Sequence, residues 1–241
     1  MGVAAASAST SPGLPHRHGH WYFAMALVVA LVGFFPSFVS RLGKVDPAHL
    51  LHGVTAFAWM VVLLTQSWLI HHGGRAAHRH IGRWSWLIVL PMLIGAVLML
   101  RSMLGSDSEF SRVFGPMLAV IDVSTILYFV SAYLLALHFR RRVHLHARLM
   151  ASTAVLVLPP ALSRMLLVIG VVEAFPAALQ WSLVMTELVA LALVVADRRG
   201  GRVHPPYPLL LAFLVLQHAS LSWLPATAAW QAVCRWIAGV A

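Results

Sequence analysis

Asp122, Arg164, Glu187 and His218 each interrupt a long apolar run, and between them they hold the groups needed to take up a proton or to counter a ligand charge inside hydrocarbon. A charged side chain in a bilayer is costly unless it is paired or wet, so residues of this kind mark a site by default. His49 and His52 are spaced to share one face of a helix. Together with Asp122 or Glu187 they would make a histidine–carboxylate set for a non-haem metal ion, with room for water. Haem b is the other cofactor these types suit: His52 and His218 would be axial, with Arg101 or Arg164 pairing the propionates. The same residues also suit chemistry without a metal. Asp122, Glu187 and His218 would exchange protons while Arg164 moves between carboxylates, as in proton-coupled transport. A second group, His71, His78, His138 and His146, is expected at the cytoplasmic ends of the helices, where imidazoles bind metal or haem when neutral and also occur with no ligand.

The elements that must position these residues follow from composition. With 60% hydrophobic residues, 10% charged residues and repeated apolar stretches of bilayer-spanning length, the chain reads as an all-α, polytopic membrane helical bundle. Its net charge of +10 comes from arginines in short loops, which are topology signals and headgroup contacts, so nucleic acid is excluded as a partner. The single cysteine, Cys234, excludes an internal disulfide and a thiolate metal cage. Positions 1–20 read as a disordered tail and 21–241 as the transmembrane domain. Helices are expected over 21–39, 49–70, 84–104, 113–139, 147–171, 174–196 and 208–224.

Arginines sort between alternate loops. Arg75, Arg79, Arg83, Arg140, Arg141, Arg142, Arg148, Arg198, Arg199 and Arg202 fall on one side; Arg41, Arg101, Arg112 and Arg235, diluted by acids, fall on the other. The positive-inside rule then puts the N-terminus in the cytoplasm of a bacterial inner membrane. Pro159-Pro160 inside the fifth span should kink it, with Thr153 and Ser163 placed to cover the freed carbonyls. Lys44 is the only lysine and lies in a loop, which excludes a retinal Schiff base.

Two loops carry a resemblance. His78-Arg79-His80-Ile81-Gly82-Arg83 is similar to the HR-x-hydrophobic-G-R loop of an uncharacterised family of bacterial multi-pass membrane proteins, and His146-Ala147-Arg148-Leu149-Met150 resembles its H-x-R-x-M segment. That family is distantly similar in helical layout to the transmembrane cytochromes b. The resemblance implies a four-helix core at about 47–171, b-type haem and electron transfer, with His52 at the outer face and His78 and His146 at the inner one. His52 and His71 are about 28 Å apart along an ideal helix, so His218 would have to complete an outer haem.

The expectation is therefore a membrane protein with a histidine/carboxylate site in the outer half of the bundle, binding haem b or a metal for electron transfer as a possible component of a membrane oxidoreductase. The alternatives are a proton-coupled small-molecule transporter and a membrane anchor, sensor or assembly subunit. The expected surroundings are the lipid bilayer and a redox partner or membrane subunit.

Overall fold

A computed structural model describes residues 19–239. The tail expected over 1–20 falls almost wholly outside the described residues; Gly19 and His20 open the first helix. Among the described residues every regular element is helical. In chain order the α-helices are α1 Gly19–Phe34, α2 Pro47–His71, α3 Arg75–Trp84, α4 Trp86–Leu104, α5 Glu109–His138, α6 Val143–Val155, α7 Leu158–Val168, α8 Phe175–Arg199, α9 Pro206–Ser220 and α10 Ala228–Ala238.

Five stretches are long and apolar enough to cross a bilayer: Pro47–His71, Arg75–Leu104, Glu109–His138, Val143–Val168 and Phe175–Arg199. Their outward rows are apolar, as Leu90, Leu127 and Leu188 show by their exposure. An exterior of this kind suits lipid rather than water.

The helix list departs from the sequence expectation in three places, each for a local reason. Arg75–Trp84, expected as a loop, is the amphipathic helix α3, its arginines on one side and Ala76, Ala77 and Ile81 among its apolar positions. The fifth span breaks into α6 and α7 at Leu156 and Val157, because Pro159 and Pro160 lack an N–H and occupy the first turn of a new helix. Ser163 donates to the Pro160 carbonyl and Thr153 to that of Met150, whereas the carbonyls that the prolines leave without a helical donor are those of Val155 and Leu156, so neither hydroxyl covers a freed carbonyl as expected. After α9 the chain turns and adds the short amphipathic α10, capped by Thr227 and held by the Trp230 indole on the Pro116 carbonyl at 2.8 Å.

The core sits between α2, α4, α5, α6, α7 and α9 and is built around Trp59, Phe129, Tyr133, Leu158 and Leu214. The Trp59 indole donates to Thr153 Oγ1 at 3.2 Å, and Tyr133 and Ser85 share a hydrogen bond of 2.8 Å, so the polar atoms of this core are satisfied. Glycines permit the closest helix approaches, as expected where lipid supplies no hydrophobic drive. A Cβ on Gly95 would lie 2.7 Å from the His52 backbone nitrogen, and one on Gly33 would lie 2.2 Å from the Ala161 carbonyl oxygen. Gly33 thereby lets α7 settle on α1.

Candidate functional site: an open Asp–Arg pair beyond the proline break

Position decides the chemistry of Arg148 and Arg164, which lie on opposite sides of the proline break. Near the arginine-rich end, Arg148 on α6 is buried and binds Asp197 on α8 through Nε and Nη2, at 2.7 to 3.0 Å. Its Nη1 donates to the His144 carbonyl and its guanidinium lies 5.7 Å from the Tyr207 ring centre. Asp197 also accepts from the His204 backbone N–H at 3.2 Å, and the His144 and His204 rings stack at 5.3 Å. This is a closed, bidentate ion pair. Burial and the Arg148 charge hold the His204 ring below the ordinary histidine range.

Arg164, on α7, is arranged differently. It donates from Nη1 to the Pro160 carbonyl at 2.9 Å and lies 4.8 Å from the Phe34 ring centre. Asp122, about 20 Å along α5 from Glu109, makes no hydrogen bond and no ion pair among the described residues. The two charges act on one another but stay out of ion-pair contact, beyond 4.0 Å. Arg164 is exposed and Asp122 is part-exposed.

Helix packing explains why the two groups do not pair. Beyond the break, α7 lies against α1 and α8, and its contact with α5 is marginal at most, whereas α6 packs firmly on α5. The chain closes against α5 before the prolines and leaves it afterwards, with Asp122 on α5 and Arg164 on the departing α7.

The remaining expected residues fall into separate groups. Glu187 pairs with His218, not with Arg164: His218 Nδ1 lies 2.8 Å from Glu187 Oε1 and Nε2 lies 2.5 Å from Gln180 Oε1. Both nitrogens of His218 thus face side-chain oxygens, those of Glu187 and Gln180. The His52 Nδ1 lies 3.0 Å from the Met92 carbonyl; because a carbonyl only accepts, Nδ1 carries the proton and Nε2 keeps its lone pair. His49 is engaged by Asp46 at 2.5 Å, the residue that caps α2. Among the described residues there is no group of three or more His, Cys, Asp or Glu side chains that could hold a metal ion, so His49, His52, Asp122 and Glu187 do not assemble as one set. Arg101 borders an apolar cleft between α4, α5 and α10, far from His52's bonded partner on α4, and a Cβ on Gly239 would meet its guanidinium.

At the arginine-rich end, His78 and His146 come together with ring centres 6.4 Å apart. Each Nδ1 faces a backbone carbonyl, of Gln66 at 3.3 Å and of Ala136 at 2.8 Å, so each ring has an Nε2 lone pair to offer. His138 packs its ring on Phe139 at 4.7 Å, and His71 closes α2.

Sequence reasoning missed Asp197 altogether and took Arg148 for a topology signal. The available clue was a lone carboxylate in the last turn of a span, directly before Arg198-Arg199. Gln217, a glutamine of the kind that hydrogen-bonds between membrane helices, ties α9 to α5 through the Ile121 carbonyl, Ser124 and Thr125, one turn around Asp122. No family model, curated protein or solved structure matches this chain.

Proposed function

We propose that the protein is a multi-pass transporter of a bacterial inner membrane that binds a small polar solute in the opening between α5 and α7 and couples its movement to a proton on Asp122. One observation carries this reading: within two spans, among the described residues, Asp122 makes no hydrogen bond or ion pair, and Arg164 donates to the Pro160 carbonyl and meets no carboxylate. A closed pair would stabilise the bundle, whereas an open one leaves a carboxylate that can bind and release a proton and a guanidinium that can hold a ligand. In this reading α1 and α9 also cross, giving seven spans; the arginine-rich end is cytoplasmic and the opening faces outward. The α6–α7 break supplies a hinge for alternating access. The test uses proteoliposomes with a trapped pH dye, challenged with pooled amino acids, carboxylates, amines and sugars. One pool should trigger proton movement in the wild type and none should do so in Asp122→Asn; silence from every pool in the wild type contradicts the reading.

A second reading is supported by the His78–His146 pair. Two imidazoles held by Nδ1–H bonds with free Nε2 atoms have the donor chemistry of axial haem ligands or of two positions on a metal ion. Such a group would supply one-electron transfer, as the loop resemblance implies. A reduced-minus-oxidised visible spectrum with metal analysis decides it: a band lost in both His78→Ala and His146→Ala supports the pair, and a colourless, metal-free protein removes it.

A further inference from the structure

Arg101 stands at the end of α4 away from the arginine-rich loops, close to Leu104 where the helix stops, and borders the apolar cleft between α4, α5 and α10. The cleft holds about 480 Å³, within the range of roughly 300–1,000 Å³ in which proteins take small ligands. Its depth runs one way. Leu100, Ala119 and Cys234 are buried together where α10 crosses α4 and α5. The cleft continues inward from that level: Val97 is one turn deeper than Arg101 on α4, and Val123 and Leu127 are one and two turns deeper than Ala119 on α5. Val97 and Leu127 are exposed, so the slot is reached from the surrounding hydrocarbon. An apolar slot directed towards the middle of the bilayer suits a hydrocarbon chain.

At its head stand the two side-chain donors of the lining. Among the described residues Arg101 makes no hydrogen bond and no ion pair, and Asp107 and Glu109, the acids nearest to it in sequence, do not pair with it. The Trp236 indole N–H has no acceptor among them either, and that residue is 81% exposed. Gly239 ends α10 in the left-handed region, and a Cβ there would lie 2.8 Å from Arg101 Nη2, so the missing side chain lets the guanidinium sit against the helix end above the slot. We propose that this cleft binds an anionic phospholipid of that leaflet, with one acyl chain along Val97 and Leu127 and the phosphate at Arg101 and the Trp236 indole. A guanidinium with free donors at the edge of hydrocarbon is satisfied by an oxyanion, which it binds best as a fork. The chain slot begins one turn inward from that guanidinium, which sets head and tail in the order a lipid has in that leaflet. Arg235, the exposed neighbour of Trp236, adds positive charge to the same end of α10 and disfavours a headgroup that carries its own cation. The site stands apart from both the transporter and the haem readings.

Native mass spectrometry of the full-length protein in mild detergent, titrated with dioleoyl phosphatidylglycerol, dioleoyl phosphatidylcholine and oleate, reads the affinity of the first bound molecule. Phosphatidylglycerol should bind about tenfold more tightly than phosphatidylcholine, as one charge-assisted bond gives. Arg101→Gln should bring the two phospholipids to one value, and Arg101→Lys should keep part of the preference, because an ammonium offers charge without the fork. Val97→Trp and Leu127→Trp fill the slot at wall positions open enough to spare folding, and should weaken both phospholipids. Arg112→Gln, on the same side of the membrane and outside the cleft, should leave the preference intact. The site is overturned by equal binding of the two phospholipids to the wild type, by a preference that survives Arg101→Gln or is lost equally in Arg112→Gln, or by unchanged affinity in both tryptophan variants. Oleate bound as tightly as phosphatidylglycerol, with the same dependence on Arg101, would make the occupant a fatty-acid anion and overturn the phospholipid.

Discussion

The protein uses an aspartate and an arginine twice, and the two uses differ in one respect. Arg148 and Asp197 meet through a bidentate bond, with a carbonyl, a backbone N–H and an aromatic ring completing the set. Arg164 and Asp122 do not meet. The arginines belong to one span and the prolines between them set the outcome: α6 stays on its neighbours, and α7 is carried onto α1, where Gly33 admits it. Identical residue types thus give a staple on one side of a break and an unpaired aspartate and arginine on the other.

The largest effect should come from breaking the staple. Asp197→Asn leaves the Arg148 charge buried with its partner neutralised, and removing one member of a buried pair costs about 3 to 5 kcal/mol; thermal unfolding in mild detergent should show a large drop or no folded protein. Next is the glycine that lets α7 settle. Gly33→Leu cannot keep α1 and α7 together, since even a Cβ would lie 2.2 Å from the Ala161 carbonyl oxygen. It should lower the melting temperature strongly, by moving Arg164 off Phe34 and α7 off α1.

Asp122→Asn should leave stability unchanged or raise it, because it removes a deep charge that makes no bond. A loss as large as that of Asp197→Asn would make the two pairs alike and erase the contrast. The smallest effect concerns pH at the stapled end. His204 is held below its ordinary value of 6.5 by burial and by Arg148, with Asp197 opposing and His144 and Arg202 adding. Its folded form is the neutral one, so the contribution to stability is full above pH 6.5 and fades as the pH falls from there through the folded value. His204→Gln should flatten that part of the melting-temperature profile.

Much of the fold was legible from apolar run length, because a bilayer forces nearly every spanning backbone into helix. The proline break followed from the same local chemistry; the hydroxyls of Thr153 and Ser163 instead bond carbonyls of their own turns. Arg164, Asp122 and Glu187 were recognisable as costly residues, but their partners were not. Which carboxylate an arginine meets depends on how a span tilts after a kink, and Gly33, a residue without a side chain, helps to decide that. His218 was placed opposite a metal on the strength of its type; its neighbours Gln180 and Glu187, a helix away, take both of its nitrogens. Asp197 escaped because arginines adjacent in sequence mask a carboxylate whose partner lies 49 positions away. The two resembling loops do converge, since His78 and His146 end beside each other.

The most direct test of the open pair is accessibility of position 122. In an Asp122→Cys, Cys234→Ser protein held in sealed vesicles, a membrane-impermeant thiol reagent added on the side away from the arginine-rich loops should modify the cysteine, and the same reagent on the arginine-rich side should not. Modification from neither side would mean that α5 and α7 close over Asp122, and the contrast between the two pairs would fall.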